Sequence, residues 1–211
     1  MNRIQILWQQ VKTYYREQTE NQKSPYLGIH DIDHITRVLR NANQLISTSP
    51  KPLSLDESEH IQAGAILHDI GYCILTHPTS EHQTHIQSSL ELSQTFLADT
   101  TFSPEEISSI QGIILRHHDT DHGLKTLTEK VVYVADKLDM IGFDGVLRMY
   151  IKSSVDFLNR DMIAIMLLNK MEKRVHEDLL QVGIGHDLIK LRWQESKWLL
   201  NEILARGALN L

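Results

Sequence analysis

Gly64-Ala65-Ile66-Leu67-His68-Asp69-Ile70-Gly71 is the stretch from which the rest of the chain is read. Small and apolar residues on every side of the turn (Ala63, Ala65, Ile66, Leu67) predict a helix buried all round, not an amphipathic surface helix. The run carries an adjacent His-Asp pair to its end, and a glycine stops it. An ionised carboxylate away from water needs a partner. A divalent metal suits both side chains. The alternative is a plain helix C-terminus, with His68 facing the dipole and Asp69 capping a turn.

Helical spacing continues outward in both directions. Upstream, Ser54 with Glu57 reads as a capping box opening the central helix, after a breaker at 47–52. Before that, Ile35, Val38, Leu39, Ala42, Leu45 and Ile46 keep a 3/4 spacing. A first helix is expected over 3–18, ended by the polar run 20–25. Downstream, a Thr-, Pro- and His-rich loop leads to a helix over about 81–98. Ser103-Pro104-Glu105-Glu106 combines an N-cap, a first-turn proline and a box glutamate. Residues 117–125 are a polar loop, and Thr126 with Glu129 opens a helix to about Ile141. Gly142 and Gly145 interrupt it, and two or three helices fill 144–208, hinged at Gly183 and Gly185. No repeat, low-complexity tract or linker breaks the chain, so the expectation is one all-α domain over 1–211.

Composition narrows the function. A formal net charge of −6 argues against a protein that grips nucleic acid by its phosphates, and no basic stripe or base-reading motif appears. The single cysteine, Cys73, permits no internal disulfide and points to a reducing compartment. Neither a signal peptide nor an apolar run of membrane-spanning length is present, so the reading is a cytoplasmic protein without a membrane partner. Twelve histidines, most of them between His30 and His122, raise the prior for metal chemistry.

Each candidate residue has two readings. In His30-Asp31-Ile32-Asp33-His34-Ile35-Thr36-Arg37-Val38, His34 and Arg37 share a helix face, and His34 borders the buried stripe. It is either a ligand or a histidine satisfied by a carbonyl. His85 continues through Ser89, Leu92 and Phe96, which turns it inward, with His82 as its competitor. Ile107, Ile110, Ile114 and His117 step by 3, 4 and 3, so His117 extends the buried stripe. His118 lies about 100° further round and faces elsewhere, toward a pocket mouth. Asp136 falls beside the apolar seam of Val131, Val134 and Leu138, with Asp139 three residues on. Aspartate is a poor interior helix residue, so these are either functional or paired to a neighbouring helix. Lys137 and Arg148 are solvated cations or phosphate contacts.

His34, then His68-Asp69, then Asp136, on successive helices, resembles the H…HD…D pattern of the HD-domain phosphohydrolase superfamily. His30-Asp31-x-x-His34-x-x-Arg37-Val38 and Ala135-Asp136-Lys137-Leu138-Asp139-x-Ile141-Gly142 are similar to its small stand-alone bacterial branch. The resemblance covers about residues 26–150. It implies an HD-type helical bundle whose metal site lies between central helices, with one divalent ion on His34, His68, Asp69 and Asp136. Some HD proteins hold a second ion with the HD aspartate bridging; His85 and His117 occupy the places for its histidines.

A mixed imidazole and carboxylate set without thiolate suits Mn, Fe, Co, Ni or Zn better than Mg. The expected activity is hydrolysis of a nucleotide or a related small phosphate ester or anhydride by a metal-activated water. Arg37 and Lys137 are the first candidates to contact substrate phosphate, with Arg116, His118, His122 and Lys125 at the rim. Asp139, or Asp69 itself, assists the water as base. A di-iron HD-type oxygenase and a non-catalytic metal- or nucleotide-binding regulatory module are the alternatives. The C-terminal helices, with Trp193 and Trp198, either pack inward or form a homodimer face.

Overall fold

The structure is a computed structural model, and it describes residues 2–21, 24, 30–75, 82–118, 123–154 and 159–208. Among the described residues regular structure is entirely helical. The elements run α1 (Arg3–Glu20), α2 (Ile32–Ser47), α3 (Leu55–Leu67), α4 (His82–Ala98), α5 (Pro104–Arg116), α6 (Leu127–Leu138), α7 (Gly142–Ser154), α8 (Arg160–Lys173) and α9 (His186–Ala208). A short 3₁₀ turn, Ile70–Ile74, follows α3. No helix among the described residues is long and apolar enough to cross a membrane.

The helices start where local chemistry satisfies their first N–H groups. Asn2 and Gln5, Ser54 and Glu57, and Ser103 and Glu106 form reciprocal capping boxes, the last with Pro104 in the first turn. Thr126 and Glu129 do the same for α6, exchanging bonds of 3.0 and 3.2 Å. Asp31 caps α2 by accepting from the His34 N–H at 2.7 Å. That cap leaves His30 just outside the helix and His34 in its first turn.

The chain divides into two compact units, Met1–Ala135 and Asp136–Leu211, where the sequence is read as one domain; α6 runs through the division. In the first unit α3 packs against α1, α2 and α5, and α4 against α5 and the 3₁₀ turn. Leu7 and Val11 of α1, Ile35 of α2, Ile66 and Leu67 of α3 and Ile110 and Ile114 of α5 form one apolar core. As the composition of α3 implies, Ile61 and every residue from Ala63 to Leu67 are buried. The buried Asn41 side chain of α2 donates to the Ala135 carbonyl of α6 at 3.0 Å.

The end of α3 differs from the expectation of a helix running to Gly71. It stops at Leu67, and His68 closes it by donating its N–H to the Gly64 carbonyl at 2.9 Å. Asp69 leaves helical geometry at φ −112° and ψ 9°, and the backbone tightens into the 3₁₀ turn. The cause is a close approach. A Cβ on Gly71 would lie 2.3 Å from the His85 carbonyl oxygen and 2.6 Å from the Ser89 nitrogen. Only glycine lets α4 come so near, and the Gly71 N–H donates to Ser89 Oγ at 2.9 Å.

In the second unit α7, α8 and α9 pack pairwise, so among the described residues the C-terminal segment holds three α-helices. The Gly142 N–H that opens α7 donates to the buried Ser196 hydroxyl of α9 at 2.7 Å. Trp193 of α9 is buried there, whereas Trp198 is exposed.

Candidate metal centre

Asp69 is the centre of the first unit's polar interior. Its side chain is 3% exposed, and histidines from four segments surround it. On Oδ2, His30 Nδ1 lies at 2.7 Å, His34 Nε2 at 3.3 Å and His68 Nε2 at 3.4 Å. On Oδ1, His117 Nε2 lies at 3.3 Å and His85 Nε2 at 3.5 Å. The carboxylate therefore has two histidine faces, one on each oxygen.

The proton positions make this arrangement informative. His68 Nδ1 donates to the Ala65 carbonyl at 2.9 Å, and His117 Nδ1 to the Ile114 carbonyl at 2.6 Å. In the neutral ring each bond places the proton on Nδ1 and turns the Nε2 lone pair toward Asp69. An ionised carboxylate only accepts, so lone pairs face lone pairs across about 3.4 Å. Asp69 Oδ1 is buried and accepts no hydrogen bond among the described residues.

A cation between these atoms resolves the conflict. Two ligand atoms about 2.1 Å from one ion, at angles near 100°, stand roughly 3.2 Å apart, close to the separations observed. Ligating histidines commonly hold a backbone carbonyl with their other nitrogen, as His68 and His117 do. The donor atoms of His30, His34 and Asp69 lie within 4.8 Å of one another, as do those of Asp69, His85, His117 and His118. Residues able to hold a metal are thus present on both faces of Asp69.

Charge agrees with that fit. Burial alone pushes the Asp69 carboxyl up, but the neighbouring His68 and His30, His30 also through its hydrogen bond, hold it well below the usual carboxylate range. His85 moves down to about 3, chiefly through burial, which outweighs the attraction of Asp69. It is neutral near pH 7 and offers a lone pair. Cys73, one short turn beyond Asp69, is pushed up to about 12 by burial and is inert as a nucleophile.

The elements explain how the histidines arrive. Gly64 does for α5 what Gly71 does for α4: a Cβ there would stand 2.6 Å from Ile113 Cγ2. The close α3–α5 contact places His117 beside His68, with ring centroids 5.1 Å apart. His85 is fully buried in line with Ser89, as the spacing in α4 implies.

Other expected residues sit as follows. Asp136 is buried in the last turn of α6, the first residue of the second unit, and accepts from Lys137 Nζ at 2.6 Å. Lys137, expected as a phosphate contact, is itself buried and directs its ammonium to that carboxylate. Asp139 is buried and bonded to the Arg148 guanidinium. Arg37 is half-buried on α2. Arg116 holds Glu129 at 3.0 Å, and Lys125 is exposed. His122 and the side chain of His82 lie outside the described residues.

His118 departs from the expectation that it faces away. α5 ends at Arg116, so helical spacing no longer applies two residues on, and the turn brings His118 Nε2 to 3.1 Å from His85 Nε2. Two further residues were not singled out from sequence. His30, read only as a motif flank, makes the shortest contact to Asp69. Tyr72 lies between His30 and His85, and its only sequence signal is an aromatic four residues after His68.

With this geometry in view, comparison with known proteins is direct. A model of the HD domain matches residues 31–141, more than half of the chain. The chain belongs to the HD-domain family. No curated protein matches the sequence significantly. Among solved structures, the HD-domain chain is similar to the crystal structure of a predicted HD superfamily hydrolase from an uncultured Thermotogales bacterium. The two share a TM-score of 0.61 and 20% identity, over 94% of this chain and 92% of that one. At that identity the likeness is one of fold.

Proposed function

We propose that this HD-domain protein is a metal-dependent phosphohydrolase acting on a nucleotide or a related small phosphate ester or anhydride. The observation that carries the reading is the buried Asp69 carboxylate with lone-pair nitrogens on both oxygens. His34, His68 and Asp69 are proposed as ligands, with Asp136 completing the set on the strength of the family's sequence order. His85 and His117, with Asp69 bridging, are proposed for a second ion. A divalent ion held there supplies Lewis-acid polarisation of a phosphoryl oxygen and an acidified water.

The chain's own residues have separate tasks. His30 donates Nδ1–H to Asp69 Oδ2 and keeps the carboxylate plane oriented. His68 and His117 are locked in one tautomer by their carbonyl bonds. Arg37, one turn from His34, is assigned to the substrate's phosphate oxygens, which a planar guanidinium can grip in pairs.

The reading is tested by metal analysis of the purified protein, followed by phosphate release from a nucleotide panel with the metal found. Bound divalent metal and turnover of a small phosphate compound are expected. Bound metal without turnover on Mn, Fe, Co, Ni, Zn or Mg would instead favour a regulatory module. The two-faced Asp69 also suits a di-iron oxygenase; two iron equivalents with substrate-dependent oxygen consumption would select that reading.

A further inference from the structure

We propose that Tyr72 is a positioning residue whose ring holds His30 and His85 on opposite oxygens of Asp69. This rests on the metal-centre reading above and adds a residue that the H…HD…D pattern does not contain. The Tyr72 ring stacks on His30 with centroids 3.9 Å apart and planes 17° from parallel. Its other face stacks on His85 at 4.2 Å and 10°. The three rings form one column, and its two outer members reach Asp69 Oδ2 at 2.7 Å and Oδ1 at 3.5 Å.

The column is tied to the carboxylate it serves. Tyr72 stands in the 3₁₀ turn directly after Asp69, and its N–H donates to the Asp69 carbonyl at 3.0 Å. The neighbouring Gly71 N–H bonds Ser89 of α4 at 2.9 Å, one helical turn from His85. One backbone turn therefore sets the aspartate, the tyrosine and the approach of α4. The column adds to the hold on two histidines that each sit at the edge of an element. His30 precedes α2 and its side chain is 25% exposed, and His85 lies in the first turn of α4. His68 and His117 instead have backbone carbonyls to orient them.

In this role Tyr72 acts through the two imidazoles on which it stacks. Replacing the ring by an aliphatic side chain keeps the burial and removes the stack. Replacing tyrosine by phenylalanine keeps the stack and removes only the hydroxyl.

Two measurements on the full-length protein test this. Mn²⁺ is titrated into chelator-stripped parent, Tyr72→Phe and Tyr72→Leu proteins, with free Mn²⁺ read by its paramagnetic resonance. The imidazole N–H groups of the same stripped samples are followed by nitrogen-15 NMR. Tyr72→Leu is expected to weaken Mn²⁺ binding about 10- to 100-fold, the range for lost outer partners of ligating histidines. It should also lose the slowly exchanging His30 Nδ1–H signal, while Tyr72→Phe matches the parent in both measurements. A Leu variant that keeps parent affinity and the His30 signal overturns the assignment. So does a Phe variant as impaired as Leu, because the hydroxyl would then carry the effect, and this arm stands if Leu fails to fold. A parent protein that binds neither Mn²⁺ nor Fe²⁺, Co²⁺, Ni²⁺, Zn²⁺ or Mg²⁺ in the same titration defeats the metal reading instead, and the His30 signal then decides the positioning role alone.

Discussion

The two ends of α3 solve the problem of buried charge in opposite ways. At its start, Arg3 reaches Glu59 at 2.6 Å, Glu106 at 2.7 Å and Asp56 at 3.4 Å, with its guanidinium 4.0 Å over the Phe102 ring. Every carboxylate there has a donor facing it, and the cation is the protein's own. At the other end, Asp69 accepts from His30 and faces further imidazole nitrogens on both oxygens, with donor atoms spaced so that they could hold a metal ion. A cluster that balances itself serves the fold. A cluster that gathers histidine and carboxylate donor atoms is suited to holding an ion.

Asp69→Asn should separate the two ends most sharply. The amide keeps the size but loses the charge and one acceptor, so tight metal binding and turnover should both disappear while the metal-free protein stays folded. Retained metal by elemental analysis would make Asp69 as structural as Glu59 and erase the contrast. A second comparison sets two arginines against each other. Arg37→Ala should lower kcat/KM on the order of 10²-fold if it meets developing charge, with metal content and Tm unchanged. A drop in Tm with full kcat/KM would place Arg37 in the same class as Arg3.

Gly71→Ala tests whether the binding end depends on close packing. The added Cβ meets the His85 carbonyl at 2.3 Å, so overpacking should cost about 1–3 kcal/mol in urea unfolding and displace His85. Metal affinity should fall with it; unchanged affinity would show that the α4 approach is incidental to the site. Arg3→Met should cost roughly 1–2 kcal/mol, because three carboxylates lose a partly buried counter-charge. Its kcat/KM should equal the parent's, and a change there would couple the two ends.

The last contrast is a difference in pH response. His85 has a pKa of about 3 in the folded chain against an ordinary 6.5. Between those values the unfolded chain binds a proton that the folded chain does not, so stability falls as pH drops through that window. The slope is about one proton per molecule, and His85→Gln should remove it. At the Arg3 end Glu106 is lowered, chiefly by the Ser103 backbone bond with help from Arg3. Its contribution is lost from the ordinary value of 4.5 downward, so Arg3→Met should leave the His85 slope above that value untouched. Equal slopes in parent and His85→Gln proteins would end this part of the contrast.

Local chemistry settled what local chemistry can settle. The capping pairs Ser54/Glu57, Ser103/Glu106 and Thr126/Glu129 announced three helix starts, because caps satisfy N–H groups within four residues. The inward turn of His85 and His117 was likewise readable, since each continues a stripe of buried and partly buried side chains at helical spacing. The all-α class and the HD-domain family followed from the same periodicity and from the ordered His and Asp residues. What the sequence could not decide was which atoms meet. That α3 stops at Leu67, that Gly71 admits α4, and that Tyr72 separates two imidazoles depend on contacts between segments far apart in the chain. His30 shows why: in sequence it only precedes an N-cap, and its bond to Asp69, 39 residues away, exists only once α2 and α3 pack. Spacing fixes direction around one helix axis, whereas the distances that turn five histidines and one carboxylate into a centre belong to the packing of several.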